Sequence, residues 1–439
     1  MPSDPADPPA PAGRPRWWAA GLVLSVLVAL VVVGVVVIQH RPPAAVLPGQ
    51  GSGRGAPSAD GNPDGEDTRT DAAGRLLGRL TDRLEHGTRR QVTALAANPR
   101  AARELAVLRG NVRALRVSDL SLRYLDEDAG RLGAARQRAL GGDAWVGDVQ
   151  LRWRLAGFDL HDSLTQVKLT FAGFGDRARF VTARHTDGRA TPLWLVGRVS
   201  VDRSSRSLTV TAGARPPVLL SDLADRAVLD VRKVLPAWRG RLVVEVPSDQ
   251  DGLTRVLGAE PGAYSEIAAV TTTTDGSVRR SAPVHIFVNP RVFDRLGPHG
   301  SQIVMSHEAT HVATGAAVSG LPTWLLEGFA DYVALDHVDL PVSVTASQIL
   351  AEVRRSGPPA HLPGRRDFDP HNVALGASYE SAWLACRLLG ERYGERRLIA
   401  FYRASDRASS TTAAFRRVLG TDQQAFTRAW RADLGRLAG

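Results

Sequence analysis

His307 and His311 place the strictest demand on how this chain folds. They belong to residues 305–311, which carry the pattern His-Glu-x-x-His. On an α-helix, side chains four residues apart lie on one face, so both imidazoles could bind the same cation. Glu308 lies at the rim of the same site, where a carboxylate can take a proton from a metal-bound water. The pattern predicts a helix that carries two metal ligands and a general base.

The residues around the motif favour a buried helix. Residues 298–301 supply a turn and an N-terminal cap, and Ile303 and Val312 provide apolar faces. A third ligand must come from elsewhere in the chain. The metzincin class of zinc peptidases requires glycine at position 314 and histidine at position 317, and this chain has Thr314 and Ala317. That class is therefore excluded.

A second motif follows one short loop later. Residues 324–330 read Trp-Leu-Leu-Glu-Gly-Phe-Ala, and Asp331 and Tyr332 come directly after them. With both motifs the chain resembles the gluzincins, the His-Glu-x-x-His peptidases with a downstream glutamate ligand, which include thermolysin and aminopeptidase N. Within that group it is similar above all to the compact bacterial peptidase-MA-like proteins. The resemblance covers residues 220–437.

The resemblance implies roles for two carboxylates. Glu327 is by this likeness the third zinc ligand, and Asp331 hydrogen-bonds a ligand histidine from behind. A carboxylate that accepts the free N–H of an imidazole fixes its tautomer, and the four-residue step from Glu327 keeps Asp331 on the metal side. Two histidines and one glutamate leave a position on the zinc open for water.

The oxyanion that develops in such a reaction needs a second electrophile. The family places a tyrosine near the start of the helix after the active-site loops, which favours Tyr379 in this chain. Tyr332 and His371 are the alternatives. A further interpretation of Tyr379 is a tyrosine packed beneath the site without a catalytic role.

Together these residues predict a zinc-dependent peptidase. Glu308 acts as general base on a zinc-activated water, Zn²⁺ is the cofactor, and a peptide or protein is the substrate. Two other functions stay open: a non-catalytic surface binding protein with a structural zinc site, and a zinc hydrolase of a non-peptide substrate. The Gly-Ala-Met-Glu-Asn stretch of the larger aminopeptidases is absent, so the resemblance does not decide between endopeptidase and exopeptidase.

Residues 284–289 are predicted to form an edge strand ahead of the metal helix. An extended peptide can bind to a sheet edge by backbone pairing, as an added strand. We therefore expect this segment to hold the substrate.

An apolar run near the amino terminus predicts a membrane anchor. Residues 19–38 contain no charge, and about 20 apolar residues suffice to cross a bilayer. Arg14 and Arg16 precede the run and favour a cytoplasmic amino terminus. The predicted arrangement is a cytoplasmic head at 1–16, a single-pass anchor in the cell membrane at 17–38, and an extracytoplasmic remainder. A cleaved signal peptide is the alternative.

Composition and periodicity divide the remainder into three parts of an α+β protein. Residues 39–71 are rich in Pro, Gly, Ser and Asp and predict a flexible linker. Apolar residues first recur at helical spacing and then alternate with polar residues, which predicts an α+β domain at 72–213 with a late strand at 208–210. Its pattern resembles the nuclear-transport-factor-2-like (NTF2-like) or cystatin-like class. Residues 214–439 are predicted as the thermolysin-like peptidase domain, a small sheet followed by helices.

The formal net charge of +10 comes almost wholly from arginines spread along the chain. No block of basic residues is interleaved with aromatic ones, so we expect a solvated surface and no nucleic-acid partner. Cys386 is the single cysteine, which excludes an intramolecular disulfide. The sequence does not indicate whether the protein is a monomer or an oligomer.

Overall fold

Helices and two β-sheets form a mixed fold. The structure, a computed structural model, describes residues 63–128, 132–183, 188–213, 218–336, 338–408 and 410–439. No helix within these ranges combines the length and the apolar character needed to cross a bilayer. The predicted head, the predicted anchor at 17–38 and the linker as far as residue 62 lie outside the described residues.

The first part of the described chain has helices followed by an antiparallel sheet. Its elements are α1 (Pro63–Glu85), α2 (Arg89–Thr93), α3 (Pro99–Leu115), β1 (Val117–Glu127), α4 (Ala134–Ala139), β2 (Ala144–Leu155), β3 (Ser163–Ala172) and β4 (Arg179–Thr182). The strands pair in that order, each antiparallel to the next. Helices α1 and α3 cover one face of the sheet because leucines at helical spacing, such as Leu76 and Leu80, are buried against it.

Helix α1 begins within the segment whose composition predicted a flexible linker. Residues 63–71 are helical. Arg69 donates a hydrogen bond of 2.7 Å to Glu127 of β1, and its guanidinium lies 5.5 Å from the centre of the Trp145 ring. These contacts tie the first turns of α1 to the sheet, and composition does not reveal contacts of this kind.

The second sheet has five strands. The elements in this region are α5 (Leu193–Val196), β5 (Val199–Arg203), β6 (Ser207–Ala212), α6 (Val218–Val234), β7 (Leu242–Val246), α7 (Gln250–Leu257), β8 (Ala269–Thr273), β9 (Val284–Val288) and α8 (Pro290–Phe293). The strand order is β5, β6, β7, β9, β8. The pairs β6 with β7 and β7 with β9 are parallel, and the two outer pairs are antiparallel.

The hairpin of β5 and β6 belongs to this second sheet. The sequence instead predicts the strand at 208–210 as part of the sheet of the preceding domain, and that prediction is wrong. Strand β6 runs parallel to β7 along its length, and α6 is the crossover between the two strands. Leu208 and Val210 are buried in the resulting core. An apolar run predicts a strand without indicating which sheet it joins.

The prediction that residues 284–289 form a sheet edge is wrong. Strand β9 lies between β7 and β8 and pairs with both. Its apolar residues Ile286, Phe287 and Val288 are all buried, as expected of a strand covered on both faces. The edge of the sheet beside it is β8.

The carboxyl-terminal part of the chain is helical. Its elements are α9 (Pro298–Thr314), α10 (Thr323–Leu335), α11 (Val342–Thr345), α12 (Ser347–Ser356), α13 (Leu375–Tyr393), α14 (Glu395–Ala408), α15 (Thr411–Ala414) and α16 (Gln423–Ala438). Helix α9 packs on α6, on β8 and on α10, and α10 packs on α13. The metal motif is thus enclosed between the second sheet and the helices that follow it.

A buried charge cluster joins the two sheets. His285 on β9 is 1% exposed. Its Nδ1 lies 2.7 Å from Glu245 of β7, and its Nε2 lies 3.0 Å from Asp159, in the turn that follows β2. Burial lowers the pKa of His285, but the charges of Asp159 and Glu245 outweigh burial and raise it to about 9. The imidazole is therefore charged at neutral pH.

We expect this cluster to make the free energy of unfolding depend on pH. The pKa of His285 is higher in the folded chain than its ordinary value of 6.5, so its contribution is complete below that value and is lost as the pH rises through about 9. The loss is at most about 3 kcal/mol. Denaturant unfolding between about pH 6 and pH 10 measures it. A His285→Gln variant should be less stable at the acidic end and lose less on alkalinisation; parallel profiles of the two proteins would contradict this assignment.

Candidate metal centre

Helix α9 carries the two histidines in a fully enclosed position. Every residue from 303 to 311 is buried, which explains why this helix shows no polar face. Pro298 begins the helix, and Gly315, at φ 69°, ends it in the left-handed conformation that glycine adopts most readily. The Nε2 atoms of His307 and His311 lie 3.0 Å apart. The helix therefore aims both imidazoles at one point.

Glu327 on α10 completes the group. Its Oε2 atom lies 3.3 Å from Nε2 of His307 and 3.4 Å from Nε2 of His311. Neither carboxylate oxygen of Glu327 forms a hydrogen bond with any described residue. Donor atoms bound about 2.0–2.1 Å from a tetrahedral zinc ion are roughly 3.4 Å apart. The three side chains can hold a metal ion, and their spacing fits an ion of that size.

Asp331 lies one helical turn after Glu327 on α10 and contacts His307. Its Oδ1 lies 2.7 Å from Nδ1 of His307, which leaves the Nε2 of that ring free to face the shared point. Burial lowers the pKa of His307, and the charges of Asp331 and Glu327 raise it to a net value of about 10. The carboxylates therefore favour a positive charge at this ring, either as a proton on the imidazole or as a cation bound in place of that proton.

Glu308 interacts electrostatically with His307, His311 and Glu327, and one of its carboxylate oxygens is free. Its Oε2 accepts a hydrogen bond of 2.6 Å from the hydroxyl of Thr271, which also lies 3.2 Å from the backbone carbonyl of Glu308. Its Oε1 is buried and has no hydrogen-bond partner among the described residues. Burial raises the pKa of Glu308 against the opposing charge of the histidines. One oxygen is thus fixed and the other is available to accept a proton.

Thr271 belongs to this site although no sequence motif marks it. It lies on the edge strand β8 and is 2% exposed. Its contact with Glu308 joins a strand to a helix across 37 positions of the chain. Residues 271–274 are all threonine, so the sequence gives no signal that separates Thr271 from its neighbours.

Of the three residues considered for the oxyanion, the structure brings Tyr379 to the metal group. Its ring centre lies 6.4 Å from that of His307 and 5.0 Å from that of Phe368, and its side chain is fully buried. Tyr332 donates a hydrogen bond to Glu395 on α14. His371 is exposed, outside the buried group.

The site is closed to solvent. His307, Glu308, His311 and Glu327 are each at most 1% exposed. Exclusion of water strengthens every electrostatic interaction among these groups. A polypeptide could reach them only after part of the surrounding wall moves.

Comparison with family models, with curated proteins and with solved structures finds no match to this chain.

Gly328 sets how closely the two helices behind the site approach each other. It follows the candidate ligand Glu327 on α10, and a Cβ atom at this position would overlap the carbonyl oxygen of Ala382 on α13 and meet the Sγ of Cys386 at 3.0 Å. The backbone of α13 cannot move aside as a flexible side chain can. A glycine next to the ligand is therefore a packing requirement of this fold.

We predict that Gly328→Ala pushes α10 away from α13 and displaces Glu327. Overpacking of this kind costs about 1–3 kcal/mol of folding free energy, and zinc affinity should fall together with stability. Gly110→Ala is the matched control, because it lies in the helix α3 with nothing within 4 Å of an added Cβ; alanine there should stabilise by up to about 1 kcal/mol. Denaturant unfolding and calorimetric zinc titration measure both effects. Equal behaviour of the two variants would contradict the packing argument.

Proposed function

We propose that this chain is a zinc-dependent peptidase of the gluzincin type, with His307, His311 and Glu327 as the metal ligands. The observation that supports the proposal is the convergence of these three donor atoms, together with the unpartnered Oε1 of Glu308, a carboxylate that interacts electrostatically with all three side chains. A zinc ion bound by two imidazoles and one carboxylate supplies Lewis acidity at an open coordination position. A purely structural site has no use for the adjacent base.

Glu308 is the proton carrier of the proposed reaction. Its Oε1 takes a proton from the attacking water and then gives it to the amine that leaves when the C–N bond breaks. Thr271 holds the other oxygen at 2.6 Å, so the carboxylate keeps one orientation through both transfers. Burial raises the pKa of Glu308, which brings the carboxylate closer in basicity to the groups with which it exchanges protons.

Two further residues complete the proposed machinery. Asp331 accepts the Nδ1 proton of His307 and so fixes the tautomer and orientation of that ligand. Tyr379 is the proposed oxyanion stabiliser, because its ring lies against His307 inside the closed site. Its packing between His307 and Phe368 also suits the interpretation of a tyrosine with a purely structural role.

A peptide substrate is favoured by the position of β8. This strand ends the second sheet and, among the described residues, pairs with β9 alone. It also carries Thr271, which contacts the general base. An extended peptide that added to this edge would pass close to Glu308. The substrate-holding role expected for residues 284–289 is therefore proposed for β8.

We propose a thermolysin-like arrangement for the sheet and helices that surround the metal motif and an NTF2-like arrangement for the first sheet with its helices. We further propose that residues 17–38 anchor the protein in the cell membrane with both domains outside the cytoplasm, since this run is uncharged over 20 residues.

The proposed activity is tested with Glu308→Gln in the full chain. The wild type should bind one zinc ion and cleave members of a peptide library, whereas the variant should keep its zinc and lose about 10²–10⁴-fold in rate, because it cannot accept the proton. Mass spectrometry of the products and elemental analysis provide the readouts. Zinc binding by both proteins without cleavage by either would favour the structural-zinc alternative, and cleavage of esters or other amides alone would favour the non-peptide hydrolase.

We predict that Thr271→Val lowers kcat roughly tenfold or more with little change in KM, because a hydrogen bond to a charged group contributes about 1.5–3 kcal/mol. Thr271→Ser should recover most of the rate, since serine keeps the hydroxyl. Thr272→Val is the control, because this neighbour is only partly buried and points to the opposite face of the strand. A similar loss in both valine variants would contradict the positioning role of Thr271.

A further inference from the structure

A cavity separate from the metal centre lies next to the helices that carry it. It has a volume of about 320 Å³ and is formed where the ends of α6 and α9 meet α10 and α14. None of the proposed metal ligands lines it, and neither Glu308 nor Tyr379 does. Ala313 and Thr314, at the end of α9, form the wall nearest to the metal helix.

The interior of this cavity is apolar and aromatic. Its walls include Leu235, Trp238, Phe329 and Ile399. Small-molecule sites in proteins are typically concave, about 300–1,000 Å³ in volume, and lined by such residues with a few polar groups placed among them. The cavity has the size and the lining of a site for one small molecule with an apolar body.

The polar groups of the cavity carry a net positive charge. Arg403 and Arg407 lie one turn apart on the exposed side of α14, and neither pairs with an acid among the described residues. Asp406 lies between them but is already engaged, since it accepts a hydrogen bond of 2.6 Å from Ser319 and lies 3.5 Å from a guanidinium nitrogen of Arg280. Two guanidinium groups are therefore left to bind an anion.

We propose that this cavity binds a small carboxylate whose other end is an aromatic or branched apolar group. The apolar end lies against Trp238 and Ile399, which line the cavity and are partly exposed, and the carboxylate pairs with Arg403 and Arg407, whose planar donor groups match its geometry. A cation is repelled by the two arginines, and a neutral apolar molecule leaves them without a counter-charge. This site does not depend on the proposed peptidase activity.

The test is a calorimetric titration of the full-length protein with 3-phenylpropionate and with its neutral amide. The carboxylate should bind saturably and at least tenfold more tightly than the amide. Arg403→Gln together with Arg407→Gln should weaken carboxylate binding at least tenfold and abolish the preference over the amide. Both positions are exposed, so the double variant should fold as the wild type does.

Arg416→Gln together with Arg417→Gln is the matched control, because it removes the same charge from an exposed pair outside the cavity. Binding should be unchanged in this control. The proposal is overturned if the wild type shows no saturable binding, if it does not distinguish the carboxylate from the amide, or if both double variants lose affinity equally.

Discussion

The buried side chains around His307 and His311 form an arrangement that a positive charge at its centre would stabilise. Two imidazoles meet the carboxylates of Glu308, Glu327 and Asp331 in a space closed to water. Buried carboxylates without a counter-charge cost several kcal/mol each. A divalent cation would offset this cost and would satisfy the oxygens of Glu327, which have no hydrogen-bond partner among the described residues. The metal is therefore expected to contribute to folding as well as to chemistry.

The surrounding fold keeps these donor atoms at fixed distances. Helix α9 is held by the second sheet on one side and by α10 on another. Gly328 allows α10 to lie directly against the backbone of α13, which fixes the position of Glu327. Because the three proposed ligands lie on packed helices and none of them lies on a loop, the core pre-organises the candidate metal site. Entry of the proposed substrate would require motion, since Glu308 and all three proposed ligands are enclosed.

The parts of the site that follow from local geometry could be predicted from the sequence. His307 and His311 share a face because the helix repeats every 3.6 residues, and Asp331 follows Glu327 by one turn for the same reason. Contacts between distant segments could not be predicted this way. Thr271 reaches Glu308 from a strand, and β9 pairs on both sides, because the order of strands in the second sheet decides these positions. An apolar run predicts a strand and leaves its neighbours open.

We expect one metal ion to lie between His307, His311 and Glu327. Anomalous diffraction from crystals grown with zinc and measured on both sides of the zinc absorption edge tests it most directly. We predict a single strong peak about 2.0–2.2 Å from the Nε2 atoms of His307 and His311 and from the carboxylate of Glu327. No peak in the closed site, or a peak bound by other residues while these three side chains keep their positions, would contradict the account.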